Sequence, residues 1–325
     1  MAEGLDSIDM RILYELDQNC RIPESKLGKI VRKSPEVVRY RIKNMRKNGV
    51  IHGYTCFFNA TKIGFEAHKI YLKTKEKPRL IQSFLSEMRQ RPDVFWIGKG
   101  DGAWNIGLTF FSKNSSDFFD KKNEIFSKFK EVVIEQIVGS VVEVETFGKK
   151  ILSPQAKAYT PAKVFGIKEH GKIDAVDVKI VNAILNDNSE TYVEMGNAAG
   201  ISPELARLRL KRLEKGGLVS RHTIAIDIKK LGYDSYKTFL YFEGLDRKET
   251  ARLFEIARKH PNVVNFLKVI APWDIELEII AENYRQYNEI IGYFREQFSD
   301  SLVNVETTAQ SMDEVYPSRK IPALP

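Results

Sequence analysis

Basic side chains concentrate in one short segment, RKSPEVVRYRIKNMRKNG, which spans residues 32–49. Residues 29–48 contain eight Lys or Arg and one acid, Glu36, and the window 197–216 contains five against two. Side chains of this type bind phosphate, and on a helix they can also reach base edges in the major groove of DNA. The alternative for such a segment is a solvated helix face.

Other reactive side chains are scattered. The five histidines and the two cysteines, Cys20 and Cys56, form no metal-binding or nucleophile motif, and no Ser/His/Asp arrangement is evident. The run GKGDG at 98–102 lacks the following helix with Lys and Ser or Thr that a phosphate-binding loop requires. We therefore predict no catalytic residue, no metal and no cofactor, and a chain that is not an enzyme.

Composition agrees with a polyanionic partner and with a location inside the cell. The chain has 325 residues and a formal net charge of +8. We find no apolar run near the roughly 18 residues that a membrane span needs, and no signal-peptide core in MAEGLDSIDM. Two isolated cysteines suit a reducing compartment. We expect a cytoplasmic, nucleoid-associated protein with no membrane partner.

The chain repeats itself. LDSIDMRIL at 5–13 matches IDAVDVKIV at 173–181, a shift of 168 residues that also places Ser34 on Ser202. Further along the shift becomes 169, and Trp104 meets Trp273. Two copies of so long a unit indicate a tandem duplication. The predicted domains are 1–64, 65–149, a linker at 150–172, 173–232, 233–312 and a tail at 313–325.

The front part of each unit has the pattern of three helices and a strand. Asp6 and Asp9 have the spacing of a capping box before an amphipathic helix, and a second short helix is predicted at 24–31. Ser34 followed by Pro35 is a strong start for a third helix. A strand after this helix completes a winged helix-turn-helix pattern, which places the third helix in the major groove.

The segments LDSIDMRILYEL, RIPESKLGKIV, SPEVVRYRIKNMRKNGVIHGY and KIGF resemble the DNA-binding domain of the leucine-responsive regulatory protein/AsnC (Lrp/AsnC) family. In the second copy SPELARLRLKRLEKGGLV is closer still to the family pattern. The resemblance covers nearly the whole chain. It implies a sequence-specific transcriptional regulator whose partner is double-stranded DNA.

The DNA-contacting residues are predicted from their places on this motif. Arg39, Tyr40 and Lys43 can reach base edges or phosphates, whereas Arg32 and Lys33 in the turn suit phosphates. Because Arg32 replaces Gly200 of the second copy, the two copies are expected to differ. Arg41 and Arg209 remain open between DNA contact and bracing of the domain. The full predicted set is Arg32, Lys33, Ser34, Glu36, Arg39, Tyr40, Lys43, Arg46, Lys47, Ser202, Glu204, Arg207, Leu208, Lys211, Arg212, Lys215 and Arg221.

The back part of each unit alternates strand and helix patterns in the order βαββαβ, which predicts a ferredoxin-like fold. The fold class is thus α+β, with two winged helix-turn-helix domains each followed by an AsnC-type αβ domain. In the resembled family this domain dimerises through its sheet and responds to an amino acid. The resemblance therefore implies an intrachain pseudo-dimer or a homo-oligomer. The candidate effector residues are Gly100, Asp101, Gly102, Trp104, Asn105, Trp273 and Asp274.

Alternatives remain open at three points. The effector loop departs from the family pattern in both copies, so a plain hairpin around a packed Trp is an equal alternative to a ligand site. An architectural chromatin-type protein of low specificity is the alternative to a regulator. A haem-pathway decarboxylase group shares the architecture, but Trp104-Asn105-Ile106 lacks the adjacent histidine of that group's motif.

Overall fold

The structure, a computed structural model, describes residues 4–153, 161–166, 171–186 and 191–322. Two parts of the predicted linker, 154–160 and 167–170, and the last three residues of the predicted tail lie outside the described residues. The domain boundaries given above remain predictions.

The first unit contains three helices, a strand and an αβ module. Its elements are α1 (Ser7–Gln18), α2 (Glu24–Val31), α3 (Pro35–Lys47), β1 (Ile51–Phe58), β2 (Glu66–Thr74), α4 (Pro78–Gln90), β3 (Val94–Gly102), β4 (Ile106–Ser112), α5 (Ser115–Lys128) and β5 (Val133–Thr146). A short strand in the predicted linker follows, β6 (Ala162–Phe165).

The second unit repeats this order, as the duplication predicts. Its elements are α6 (Ala175–Leu185), α7 (Tyr192–Ala199), α8 (Pro203–Lys215), β7 (Val219–Ile226), β8 (Asp234–Phe242), α9 (Arg247–Lys259), β9 (Val263–Ile270), β10 (Ile275–Ala281), α10 (Tyr284–Gln297) and β11 (Leu302–Val315). We call α1–α3 the first head and α6–α8 the second head.

Capping explains where the helices of the heads begin. The Asp6 carboxylate accepts hydrogen bonds from the amides of Ile8 and Asp9, both 2.9 Å, and Asp9 bonds back to the Asp6 amide. Asp174 and Asp177 form the same capping box at the start of α6. Each box satisfies amides that would otherwise lack partners in the first turn.

The strand after each third helix pairs with its counterpart in the other unit. β1 and β7 form an antiparallel ribbon in which Thr55 faces Thr223. These two residues are equivalent in the repeat, so a local twofold axis passes through this pair. The strand predicted as a wing thus also joins the two heads.

The ribbon also completes the cores of the heads. Ile224 of β7 packs in the apolar core of the first head with Ile12 and Val38. Phe58 of β1 packs in that of the second head with Leu210. Since each small head borrows apolar area from the other unit, the heads are stabilised as a pair.

The strands of the two αβ modules form a closed barrel. The order is β2, β4, β3, β11, β8, β10, β9 and β5, and β5 pairs again with β2. We call the β3–β11 pairing the first seam and the β9–β5 pairing the second seam. Apolar residues of α4 and α5 cover one outer face, where Phe84 and Phe118 pack near Ile70 and Leu72.

Charged side chains lie inside the barrel. Glu276 is 0% exposed and binds both Lys69 and Lys237, which are equivalent in the repeat. Tyr71 donates to the same carboxylate at 2.8 Å, and Lys237 reaches Glu278 at 2.6 Å. Removing one charged partner would leave a buried charge uncompensated, so this network favours a single packing of the modules.

The end of β11 differs from the prediction. The strand runs to Val315, inside the segment predicted as a tail from 313, because its last residues pair with β3 as far as Trp96. Tyr316 follows, and its hydroxyl donates to the Phe58 carbonyl at 2.8 Å, which ties the barrel to the ribbon. Among the described residues, no helix is both long and apolar enough to cross a membrane.

Candidate nucleic-acid interface

Helix α3 turns an apolar stripe inward and a polar face outward. Ser34 caps the helix by accepting a hydrogen bond from the Val37 amide at 3.4 Å, and Val38, Ile42 and Met45 are buried. This 3.6-residue periodicity leaves the opposite face to solvent. The predicted residues on that face are exposed, namely Glu36, Arg39, Tyr40, Lys43 and Lys47.

Arg39 is held by an acid of the neighbouring helix. Its guanidinium forms a bidentate pair with Glu24, with Nε–O distances of 3.0 and 3.1 Å. The hydrogen bonds and charge of Glu24 raise the pKa of Arg39. Because the pair is exposed, it is weak and a phosphate or base edge can replace the carboxylate.

The turn before α3 contains a left-handed residue that is not glycine. Arg32 has φ 54° and ψ 47°, and it and Lys33 are exposed. Gly200 adopts the same conformation, φ 72°, in the second head. An L-residue there costs about 1 kcal/mol relative to glycine, so Arg32 is strained where Gly200 is not.

Helix α8 repeats the arrangement with different surface residues. Ser202 caps it through the Leu205 amide at 3.2 Å, and Leu208, Lys211 and Lys215 are exposed. Arg207 is half-buried and pairs with Glu204 three residues earlier at 2.5 Å. Most predicted residues of the second head therefore share one surface.

Some basic residues serve the heads themselves. Arg41 donates to Asp6 and Asp9 at 2.9 Å, and Arg209 donates to Asp174 and Asp177 in the same way. The Arg209 hydrogen bond lowers the pKa of Asp174 to about 2. Arg41 and Arg209 therefore brace α3 and α8 against the first helix of each head, which is one of the two roles left open for them above.

Three other predicted residues are placed differently from the expectation. Arg212 bonds the buried carboxylate of Asp177, so its side chain also braces the head. Arg46 lies over the ring of Tyr54 on β1, 5.0 Å from the ring centre. Arg221 is only 9% exposed in the ribbon, where burial lowers its pKa to about 10. The prediction that Arg221 contacts DNA from a wing is therefore wrong.

A reciprocal pair of lysines holds the ends of the two third helices. Lys62 donates from Nζ to the Gly216 carbonyl at the end of α8 at 2.8 Å. Lys230 does the same for the Asn48 carbonyl at the end of α3. We call this arrangement the lysine clamp. Sequence reasoning missed it, although both residues repeat at the shift of 168 next to the matched glycines Gly64 and Gly232.

Asn105 and Asp274 of the predicted effector loop have backbone partners. The Asn105 side-chain carbonyl accepts from the Thr74 amide at 3.0 Å. Its counterpart Asp274 accepts from the Phe242 amide at 2.9 Å. Trp273 is buried and donates to Glu276 at 3.1 Å. These contacts are ones that a plain hairpin makes, and effector binding by this loop stays a prediction.

The glycines of this loop serve the first seam. A Cβ on Gly100 would lie 2.2 Å from the Ala309 carbonyl oxygen, and one on Gly102 would lie 2.2 Å from that of Thr307. In the second seam the small residue is on the opposite strand, where a Cβ on Gly139 would meet Ala271 at 3.1 Å. Close strand approach therefore explains the glycines and their loss in the second copy.

A cleft of about 390 Å³ opens at the barrel mouth, where β2 and β8 end. Its lining combines charged, hydroxyl and aromatic groups from both modules, including Lys73, Trp104, Glu135, Tyr241 and Glu306. Tyr241 donates to Glu306 at 2.9 Å, and Lys73 lies 3.5 Å from Glu135. Of the predicted effector residues Trp104 lines this cleft, whereas Asp101 is exposed on β3.

Comparison with known proteins supports a DNA-binding motif in both heads. The winged helix-turn-helix DNA-binding family matches residues 5–52 and 173–220. The transcriptional regulator AldR of Mycolicibacterium smegmatis is 31% identical over 106 residues, which cover 31% of this chain and 61% of AldR. The regulatory protein AsnC of Haemophilus influenzae is 23% identical over 135 residues, which cover 42% of this chain and 89% of AsnC.

A solved structure matches the whole architecture. The siroheme decarboxylase NirDL superposes with a TM-score of 0.60 over 98% of this chain and 94% of its own, at 12% sequence identity. Such an identity shows a shared fold alone. The prediction that the chain is not an enzyme is nevertheless wrong. It excluded catalysis for an architecture that an enzyme has over its full length.

The matches confirm the resemblance on which the sequence analysis depends. Lrp/AsnC family regulators are homologues of this chain, and the winged helix-turn-helix motif occurs in it twice. The matched segment is shorter than two thirds of AldR, so this similarity does not extend over the whole of that relative. The mixed α+β fold with duplicated heads is also confirmed.

Proposed function

We propose that this protein is a sequence-specific transcriptional regulator in which a single chain supplies both DNA-binding heads. The observation that carries the proposal is the pair of capped, outward-facing helices α3 and α8, whose ends are held by the lysine clamp. Homology to DNA-binding regulators supports it. The αβ modules then act as an intrachain pseudo-dimer that keeps the heads together.

Each third helix enters the major groove with its N-terminal half against the bases. Arg39 and Lys43 of the first head bind guanine edges or phosphates, and Arg207 and Lys211 do so in the second. Arg39 exchanges Glu24 for DNA during binding. Because the heads share one chain, the second binds at a high local concentration once the first has bound.

A small effector with both an ammonium and a carboxylate binds in the cleft at the barrel mouth. Lys73 offers a positive charge, Glu135 and Glu306 offer negative charges, and Trp104 offers an apolar wall. A volume of about 390 Å³ suits a molecule of amino-acid size. Residues of both modules line the cleft, so occupation would alter how the modules hold the heads.

DNA binding is tested with the double variant Arg39→Ala/Lys43→Ala. We expect at least a tenfold weaker affinity for genomic target duplexes by fluorescence anisotropy, and a shallower dependence of affinity on salt. Arg285→Ala, which removes a 90% exposed side chain on α10, is the matched control. Equal affinities for the double variant and the control would contradict the assignment of α3.

Footprinting across the genome separates a regulator from an architectural protein. A regulator protects a limited number of sharp sites, whereas an architectural protein gives broad coverage that salt removes. We expect sharp sites. Broad coverage alone would assign the alternative function.

The effector is tested by thermal shift with the twenty amino acids. We expect one or a few to raise the Tm of the wild type and not that of Glu306→Gln. Siroheme belongs in the same screen because NirDL, which shares the fold, is a siroheme decarboxylase. Binding and turnover of siroheme would assign a catalytic function in place of an amino-acid response.

A further inference from the structure

We propose that one chain recognises an asymmetric DNA site composed of two unlike half-sites in inverted orientation. This inference rests on the DNA-binding function proposed above. The two heads are placed symmetrically, but the residues on their surfaces differ.

The placement of the heads is symmetric. The antiparallel ribbon pairs Thr55 with Thr223, and the pairs on either side, Tyr54 with Ile224 and Cys56 with His222, exchange under the same twofold operation. The lysine clamp obeys it as well, because Lys62 with Gly216 and Lys230 with Asn48 are equivalent contacts. Two third helices related by a twofold axis meet DNA as inverted half-sites.

The surfaces of the helices are not symmetric. Tyr40 is 66% exposed on α3, and its equivalent on α8, Leu208, is 51% exposed. A tyrosine hydroxyl can donate to or accept from a base edge or a phosphate. A leucine can make only an apolar contact, for which the methyl group of thymine is the partner in the major groove. The same position therefore favours different bases in the two half-sites.

The flanking positions differ in charge. Arg32 and Lys33 precede α3, whereas the uncharged Gly200 and Ile201 precede α8. Near the helix end Arg46 is replaced by an acid, Glu214, which accepts a hydrogen bond from His222 at 2.8 Å. The first head thus gains affinity from phosphates, which carry no sequence information, and the second depends more on base contacts.

The shared positions keep both heads competent. Arg39 matches Arg207 and Lys43 matches Lys211, and all four are on the polar faces of their helices. Both half-sites should therefore keep a common element, which these pairs contact. The half-sites should diverge at the base pairs that Tyr40 and Leu208 reach.

The experiment is selection of binding sites from random duplexes by the full-length chain, followed by the single variants Tyr40→Leu and Leu208→Tyr. We expect two unlike inverted motifs. Tyr40→Leu should make the motif of the first head more like that of the second and leave the second motif unchanged. Leu208→Tyr should make the motif of the second head more like that of the first and leave the first motif unchanged. Each variant should bind the wild-type site at least fivefold more weakly and its own selected site about as well as the wild type binds its site.

Three outcomes overturn the inference. A perfect palindrome would show that the surface differences are not expressed in recognition. A single half-site would show that one head does not contact DNA. A palindrome leaves the proposed function standing. A single half-site leaves DNA binding standing but removes the part of the proposed function that requires both heads, whereas the failure of any duplex to be selected would remove both that function and the inference.

Discussion

Lys62 donates a hydrogen bond to the carbonyl oxygen of Gly216, 2.8 Å away, although the two residues belong to different units. A cation at the C-terminus of a helix also interacts favourably with the helix dipole. Because Lys230 makes the equivalent contact to Asn48, each unit holds the end of the other unit's third helix. The clamp thus connects the turn before the αβ module of each unit to the end of the other unit's third helix.

Loss of one arm of the clamp should impair joint binding by the heads. We expect Lys62→Met to lower the free energy of unfolding by about 1 kcal/mol. We also expect it to weaken binding to a duplex with both half-sites severalfold, with little effect on a single half-site, as measured by fluorescence anisotropy. Lys248→Met, at an exposed position on α9, is the control. An equal loss on both duplexes would contradict the linking role.

The strained turn of the first head should show opposite effects on stability and binding. Arg32→Gly removes a left-handed L-residue, so the free energy of unfolding should rise by about 1 kcal/mol. It also removes the proposed phosphate contact of Arg32, so DNA affinity should fall severalfold. Gly200→Arg in the second head should do the reverse on both counts. Urea unfolding and anisotropy measure the two effects, and a loss of stability in Arg32→Gly would refute the strain argument.

Neutralising Glu24 should tighten DNA binding. The carboxylate pairs with Arg39 and would repel phosphates, so Glu24→Gln frees the guanidinium and lowers the repulsion. We expect about a threefold higher affinity at low salt that diminishes as salt rises. Glu15→Gln, which breaks the pair with Arg11 on α1, is the control. Weaker binding by Glu24→Gln would indicate that the pair positions Arg39.

Acid should destabilise the second module through His260. Burial, together with the charge of Lys150, lowers the pKa of His260 from 6.5 to about 4. Its Nδ1 accepts from the Asn262 amide at 3.2 Å, and the rings of Tyr293 and Phe294 lie nearby. Since the folded state keeps the ring neutral, its stabilisation is complete above pH 6.5 and is lost as the pH falls toward 4.

The effect of His260 should amount to about 2 kcal/mol, allowing for partial exposure of the ring. Denaturant unfolding between pH 4 and 7 measures it. In His260→Asn, which retains an acceptor, this part of the pH dependence should disappear. His52→Asn, which replaces a more exposed histidine, is the control and should retain the pH dependence that is due to His260. Parallel pH profiles for the wild type and His260→Asn would rule out this explanation.

The seam glycines should differ in their tolerance of a methyl group. Gly100→Ala brings a Cβ to 2.2 Å from a backbone oxygen, whereas Gly139→Ala brings one to 3.0 Å. We expect losses in the free energy of unfolding of about 3 kcal/mol for the first and about 1 kcal/mol for the second. Similar losses in the two variants would mean that the strands move apart easily.

Local sequence signals predicted the helices of the heads well. The capping boxes at Asp6 and Asp174 and the Ser34-Pro35 start depend on residues within one turn, and the structure contains all three. The buried stripe of α3 follows from spacing alone. The duplication and the order of the αβ elements were visible for the same reason, because they need no knowledge of distant partners.

Such local signals could not predict which residues pair when they are far apart in the sequence. Arg221 looks like a surface residue in the sequence, and its burial follows from the pairing of β1 with β7, which are 168 residues apart. The lysine clamp and the Lys69–Glu276 network also join different units. The close approach of β11 that requires the glycines of the effector loop could not be predicted either, because it lies on another strand.

The small residues lie on β3 in the first seam and on β5 in the second. This difference determines how well each half of the chain could pair with a copy of itself. In a self-associated first half, Gly102 would face Gly139 and leave a void. In a self-associated second half, Ala271 would face Thr308, the residue that aligns with Gly139, and would be crowded. Each half fits the other better than itself. Severed at the linker, the halves should assort as a heterodimer, which means that duplication has made the two copies mutually dependent.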